Sequence, residues 1–287
     1  MKSFQLQDGT GLAYTDQGAG QPIVFLHPTP LDHAYWRLLT ERLAGVRAIS
    51  IDLRGHGGSA LGRLPVGGFA AAPEAPVLSM KRLAEDVVEL LDALGIEQAI
   101  LAGCSIGGYV LLELWRQIPN RIKGLAFVCS KPQPDAPANA VKRADSIARA
   151  NRGEMEAIFD ANLLALMGEA ARLAHPEWAQ ELRSTMKLSL EGFAAVQAGL
   201  AQRPDSLPTV ATITAPILAI CGGKDPGITP DEMRVFAGAP GGASFHLLPE
   251  AGHFAAYEEP KLVAELFAAW LKSKSLIEGF DQGAGKL

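Results

Sequence analysis

The segment from Ala99 to Gly108 constrains the fold more tightly than any other part of the chain. A short apolar run, Ala99-Ile100-Leu101-Ala102, enters Gly103-Cys104-Ser105-Ile106-Gly107, and a helical pattern follows at once from Tyr109 to Gln117. Strand, sharp turn and helix in that order force the central residue of the turn into a strained conformation and leave its side chain at the carboxyl edge of a sheet. Gly103 and Gly107 have no Cβ, so strand and helix can approach closely. Ser105 is thereby predicted to stand alone above the sheet as a candidate nucleophile. A serine hydroxyl is weak at neutral pH and needs a base, which in turn needs an orienting group.

Both partners follow in chain order. Ile217 to Cys221 reads as a buried strand, followed by the turn Gly222-Gly223-Lys224-Asp225-Pro226-Gly227. Ser244 to Leu248 reads as another strand, followed by Pro249-Glu250-Ala251-Gly252-His253. The short separation between Asp225 and His253 suits two adjacent strand ends. The long one between Ser105 and Asp225 leaves room for an inserted subdomain. An acid in a glycine-rich turn is often only a turn former, and Asp135, near the strand that ends at Cys129, is a rival orienting acid. Asp225 is preferred because Asp135 sits among prolines.

The order Ser, Asp, His resembles that of the α/β-hydrolase-fold proteins, of the esterase, lactonase and cofactor-free perhydrolase type. Four further segments carry the resemblance, which covers residues 3–273. Phe25-Leu26-His27-Pro28-Thr29-Pro30 resembles the family's oxyanion loop. Asp52-Leu53-Arg54-Gly55-His56-Gly57-Gly58-Ser59 resembles the turn after its fourth strand. Gly252-His253-Phe254 resembles its histidine loop, and Glu259-Pro260 the start of its last helix. The resemblance implies catalytic Ser105, Asp225 and His253, with the backbone N–H groups of Thr29 and Ile106 as the oxyanion hole. It makes His27 and His56 structural. One departure is Pro28, where the family usually has glycine. Proline has no N–H; the loss matters little if the donor is Thr29 and weakens the hole if it is the Pro28 position.

Composition narrows the function classes. The 287 residues are 48% hydrophobic and 20% charged, which fits one large α/β domain with a sizeable core. The net charge of −5, with no basic run, argues against nucleic acid or an anionic membrane surface as partner. The N-terminus shows no secretory h-region and no stretch is long enough to span a membrane. Three scattered cysteines are not a disulfide framework; cytoplasmic residence is expected, with Cys104, Cys129 and Cys221 as small buried apolar residues.

Along the chain, Ser3–Gln7 and Gly11–Thr15 read as a hairpin around Asp8-Gly9-Thr10. Pro22–Leu26, Val46–Leu53 and Ile122–Cys129 read as strands buried on both faces. Leu31–Leu43 has a helical pattern, residues 62–76 read as a loop, and Ser79 N-caps a helix that ends at Gly95. Residues 138–203 give only helical patterns. The predicted architecture is a mostly parallel sheet flanked by helices, with a core of residues 1–131 and 207–275, a helical cap over 132–206, and a loose tail over 276–287. The apolar residues of the insert (Phe159, Leu163, Leu164, Leu166, Met167, Trp178, Met186, Leu188, Leu190, Phe193) are expected mostly to pack the cap onto itself, with a few lining an apolar acyl pocket.

The expected activity is hydrolysis of small to medium carboxylic esters, with no cofactor or metal. Gly55 to Ala60 formally matches a dinucleotide fingerprint, but a loop rather than a helix follows it. His33, His175 and His246 read as surface or packing residues. Lactone opening, perhydrolysis and cleavage of a C–C bond in a diketone would use the same triad and stay open, because pocket shape decides among them. A ligand receptor on a hydrolase scaffold is the alternative from a different class. Sequence does not distinguish monomer from homodimer.

Overall fold

The apolar runs assemble into one eight-stranded sheet. Its strands are β1 (Lys2–Gln5), β2 (Gly11–Gly18), β3 (Gln21–Leu26), β4 (Val46–Ile51), β5 (Ala99–Cys104), β6 (Ile122–Val128), β7 (Ile217–Gly222) and β8 (Ala243–Leu248), in the spatial order β1-β2-β4-β3-β5-β6-β7-β8. Our computed structural model describes residues 1–277; the tail expected over 276–287 lies, from residue 278 on, outside the described residues. Only β2 runs antiparallel to its neighbours; β4, β3, β5, β6, β7 and β8 form a parallel array with β5 and β6 at its centre.

Two-residue periodicity sends alternate side chains to opposite faces. Val24, Leu26, Ile49 and Leu101 join one core, beneath α2 (Met80–Ala93), α3 (Ile106–Gln117), α9 (Leu207–Val210) and α10 (Pro230–Arg234). Ile23, Phe25, Ala48 and Ile100 join the other, beneath α1 (Arg37–Thr40), α11 (Ala255–Glu258) and α12 (Pro260–Ser273). Each fully buried Val, Leu, Ile or Phe side chain among them contributes about 1.5–3 kcal/mol. Helix α2 starts where Ser79 Oγ accepts a hydrogen bond from the Arg82 N–H at 3.1 Å and stops before Gly95, whose φ of +62° few other residues tolerate.

The helix expected over Leu31–Leu43 is instead a 3₁₀ turn, His33–Trp36, followed by the single-turn α1. Tyr35 and Trp36 are both fully buried. The Asp32 carboxylate accepts the Ala34 N–H at 2.9 Å and tightens the turn.

All the elements between β6 and β7, apart from the short α9, belong to the helical insert: α4 (Pro137–Asn151), α5 (Met155–Leu166), α6 (Glu169–Ala174), α7 (Pro176–Thr185) and α8 (Leu190–Ala201). Most of its large apolar residues do not form a core of their own. Phe159, Leu163, Met167, Leu182, Met186 and Phe193 continue the second-face cluster together with Phe254 and Tyr257. Leu164 and Leu190 are exposed. The loop over residues 62–76 packs through Ala75 against Ile147 of α4 and Ala194 and Ala198 of α8. Among the described residues no helix is long and apolar enough to cross a membrane.

Candidate active site

Ser105 follows β5 and precedes α3 with φ 52° and ψ −116°. Such a conformation costs on the order of 1–3 kcal/mol in a residue other than glycine, and its surroundings enforce it. The Ser105 N–H donates to the Val128 carbonyl at 3.2 Å, and the Ser105 carbonyl accepts from Ser130 Oγ at 3.0 Å and from the Tyr109 N–H at 3.2 Å. A Cβ on Gly103 would overlap the Gly107 backbone, and one on Gly107 would overlap the Leu26 carbonyl of β3. The serine is half-buried. Ile106 is the first residue of α3, so its N–H has no acceptor within the helix and lies at the positive end of the helix dipole.

Asp225 lies in the turn after β7 and His253 in the loop after β8, the next strand. Asp225 Oδ2 stands 2.6 Å from His253 Nδ1. Its Oδ1 accepts the N–H groups of Gly227 at 2.8 Å and Ile228 at 3.1 Å. Burial alone would raise the Asp225 carboxyl, but His253 and these donors outweigh it and hold it below the ordinary carboxylate value. Burial would lower the His253 imidazole, and Asp225 outweighs that, so its pKa is raised. With Nδ1–H donated to a carboxylate, the lone pair sits on Nε2, which makes no hydrogen bond among the described residues. The ring lines the same cavity as Ser105. Cys129 lies near both residues, close enough for the three to share a metal ion, but burial holds its thiol protonated and Asp225 Oδ2 is at hydrogen-bond distance from Nδ1.

Glu258 is a site residue that sequence reasoning missed. Its carboxylate is buried and accepts three backbone N–H groups: Gly252 at 2.7 Å, Gly168 at 3.0 Å and Phe254 at 3.0 Å. It thereby fixes both sides of His253 and ties that loop to the link between α5 and α6. The His253 N–H donates to the Leu166 carbonyl at 2.7 Å, a second tie to the same segment. The only signal in the sequence was an acid five residues after a histidine, which has many bland explanations.

The loop after β3 brings Thr29 to the edge of β5, because β3 and β5 are neighbours. The Thr29 N–H donates to no group among the described residues. His56 Nδ1 lies 3.1 Å from the Arg54 carbonyl, so it donates, and Nε2 accepts from Thr29 Oγ1 at 2.9 Å. Burial and the nearby His27 push the His56 imidazole down to about 3, so it stays neutral and keeps that tautomer. His27 donates from Nδ1 to the Pro28 carbonyl and accepts the Leu53 N–H on Nε2. His33, read as a surface or packing residue, hydrogen-bonds through both its backbone N–H and its Nδ1 to Asp52, each at 2.7 Å.

Asp135 does not meet His253. It pairs with Arg143 at 2.5 Å and with Arg203. Burial would raise its carboxyl, and the two guanidinium groups outweigh that and lower it.

The cavity above Ser105 and His253 encloses about 480 Å³. The expected apolar acyl pocket is not what lines it. Of the ten apolar insert residues named above, only Leu166 reaches it; the rest of the insert's contribution is polar, with Asn139, Lys142, Arg143 and Ser146 from α4, Asn162 from α5 and Gln197 from α8. Phe159, Leu163, Met167, Met186, Leu188 and Phe193 are consumed by the second-face core instead. The four α4 residues are spaced i, i+3, i+4 and i+7, one face of a helix, while Ile147 and Ala150 of the same helix are buried elsewhere. That stripe was present in the sequence, where it reads as an ordinary solvated face.

Residues 23–266 match the model of a family described as the alpha/beta hydrolase family. Among solved structures, a thermophilic esterase from Thermogutta terrifontis, solved with malate bound, superposes with a TM-score of 0.85 at 29% identity over 95% of this chain and 98% of that one. The enol-lactonase from Burkholderia xenovorans LB400 gives a TM-score of 0.83 at 24% identity over 94% and 100%, a likeness of fold. A relative in Bacillus subtilis (strain 168), a putative 2-succinyl-6-hydroxy-2,4-cyclohexadiene-1-carboxylate synthase, is 25% identical over 282 residues, 94% of this chain and 98% of its own length.

Proposed function

The chain belongs to the alpha/beta hydrolase family, and we propose that it is a serine hydrolase that cleaves small to medium carboxylic esters through an acyl-enzyme. In this reading His253 Nε2 removes the Ser105 proton as Oγ attacks the ester carbonyl. Asp225 fixes the imidazole tautomer and stabilises the imidazolium that forms. The N–H groups of Thr29 and Ile106 receive the negative charge that develops on the carbonyl oxygen; one such donor is typically worth about 3–4 kcal/mol. The imidazolium then protonates the departing alkoxide. A water molecule, deprotonated by His253, attacks the acyl carbonyl and releases the acid, and Ser105 recovers its proton. The helices over 132–206 act as a cap that limits substrate size.

The observation that carries the proposal is the 2.6 Å contact of Asp225 with His253 Nδ1, beside a strained serine facing the same cavity. The rule that ligands bind outside the carboxyl ends of the strands in open α/β sheets supports the same location. The esterase likeness from Thermogutta terrifontis supports the reaction class. Its test is Ser105→Ala. The substitution is expected to lower kcat for short-chain esters by about 10⁴-fold or more and to abolish labelling by a fluorophosphonate probe. Ester cleavage close to the wild-type rate in the variant would remove Ser105 from the reaction.

A further inference from the structure

Four cationic side chains line the cavity above Ser105: Lys131, Lys142, Arg143 and Arg203. The carboxylates available to them do not match that number. Asp135 is shared between Arg143 and Arg203, and Lys131 is paired with Glu232. Lys142, exposed on α4, makes no ion pair among the described residues. Two guanidinium groups on one carboxylate, plus an unpaired ammonium, leave an excess of positive charge in a chain whose net charge is −5.

Arg203 strengthens the point because it is not a surface residue. Its side chain is 3% exposed, and its guanidinium lies over the Tyr109 ring at 4.4 Å from the centroid. Its Nε has no hydrogen-bond partner among the described residues. Its Nη1 and Nη2 are held by Asp135 and by the Leu200 and Gln133 carbonyls, the latter two at 3.2 Å, so Arg203 is fixed in place, and the charge it shares with Asp135 is not available to a second partner. Arg143 spends Nε on Asp135 and Nη1 on Gln197 at 2.9 Å, which leaves Nη2 without a partner among the described residues. Asn139, Ser146 and Asn162 add neutral polar groups around the same space.

Resting on the reading of Ser105 as nucleophile, we infer that the preferred substrate carries a free carboxylate in addition to its scissile ester, and that Arg143 and Lys142 bind that carboxylate. Arg203 acts behind them: it keeps Asp135 occupied, so that Asp135 does not neutralise Arg143 alone. A guanidinium fork matches a carboxylate geometrically, and the exposed Lys142 adds a point charge at the mouth that draws anions inward.

The test compares monomethyl adipate with methyl hexanoate, two esters that differ chiefly in the distal carboxylate. The expected kcat/KM ratio favours the anionic ester by about tenfold or more, a factor of ten being about 1.4 kcal/mol. The ratio falls toward unity in Lys142→Ala and in Arg143→Gln, and it falls in wild type as salt is raised. Lys142 is exposed, so its variant remains informative should Arg143→Gln unfold. A second measurement needs no turnover: calorimetric binding of adipate to the wild-type protein, expected to be saturable and weakened by Lys142→Ala. Equal turnover of the two esters together with no adipate binding at millimolar concentration overturns the carboxylate site and leaves the serine hydrolase standing. Adipate binding that weakens in Lys142→Ala, with neither ester cleaved, supports the carboxylate site and counts against the hydrolase reading instead.

Discussion

Ser105, Asp225 and His253 hang from the ends of β5, β7 and β8, whereas Lys142, Arg143 and Gln197 reach the same cavity from α4 and α8. The two sides use different physics. On the strand side, backbone geometry places the groups: a left-handed φ at Ser105, glycines at 103 and 107 with no room for a Cβ, and neighbouring strands that deliver Asp225 to Nδ1. On the helix side, side-chain charge does the work, on elements whose apolar faces are already committed to packing against the sheet and against each other. A fold can keep the first side fixed while the second varies, which is how one scaffold comes to host many substrates.

The largest expected effect breaks the comparison at its two acids. Asp225→Asn leaves Nδ1 facing an amide and favours the wrong tautomer, so kcat is expected to fall by about 10⁴-fold. Asp135→Asn frees two guanidinium groups instead; its cost is expected mainly in melting temperature, with a loss in kcat at least two orders of magnitude smaller. The reverse ranking would move the orienting acid to the helix side. The pH profile sharpens the same point. In the proposed mechanism the base is the neutral His253 imidazole, and Asp225 raises its pKa above the ordinary 6.5. Activity therefore fades as pH falls through that raised value, and the acid limb of kcat/KM is expected above pH 6.5 in wild type and at lower pH in Asp225→Asn. A wild-type limb below 6.5 would contradict the pairing.

Gly103→Ala comes next. The added Cβ meets the Gly107 backbone, which cannot rotate aside as a side chain would. Overpacking of this kind costs about 3 kcal/mol, a drop of roughly 6–12 °C in melting temperature for a domain of this size. A thermal unfolding curve within a degree or two of wild type would show that strand and helix are less tightly apposed than the overlap demands.

These two sides also differed in how far the sequence revealed them. Ile100, Leu101, Val24 and Ile49 divide between two cores, so both faces of the sheet demand apolar residues, and the resulting continuous runs made the strands legible; Gly103 and Gly107 made the turn legible, because few other residues fit there. Leu31–Leu43 misled, since its apolar spacing matches a helix, yet the chain makes only a 3₁₀ turn capped by the Asp32 side chain and one helical turn that ends at Thr40. The cavity lining misled for a different reason. Asn139, Lys142, Arg143 and Ser146 form a polar stripe at helical spacing, and local sequence does not say whether such a stripe faces bulk water or a cavity. Only the packing of α4 against α8 decides that.

Glu258 links the two sides and is expected to give an intermediate effect. Its carboxylate holds Gly252 and Phe254 around His253 and Gly168 beyond α5. Glu258→Gln keeps the shape but replaces a charged acceptor by an amide whose NH₂ faces one or more backbone N–H groups. Hydrogen bonds to charged groups are worth about 1.5–3 kcal/mol, so a fall in melting temperature of several degrees is expected. Because the Glu258 carboxylate contacts only backbone N–H groups, kcat for a small ester is expected to fall by about tenfold with KM less affected. A drop as deep as that of Asp225→Asn would mean that Glu258 takes part in the proton transfer itself.

The smallest effect belongs to the apolar residues of the insert that face away from both sides. Leu164 is 60% exposed, while Leu163 beside it is buried in the second-face cluster. A leucine with most of its surface in water contributes little burial, and exposed substitutions away from special contacts change stability by about 0.5 kcal/mol or less. Leu164→Ala is expected to leave the melting temperature within about 2 °C of wild type and the preference between charged and neutral esters unchanged. That null result matters because Leu164 precedes Leu166, the one apolar residue of α5 that lines the cavity, by half a helical turn. A change in ester preference at position 164 would mean that α5 turns a different face toward the substrate, and the contrast between an apolar face spent on the core and a polar face given to the cavity would not describe this insert.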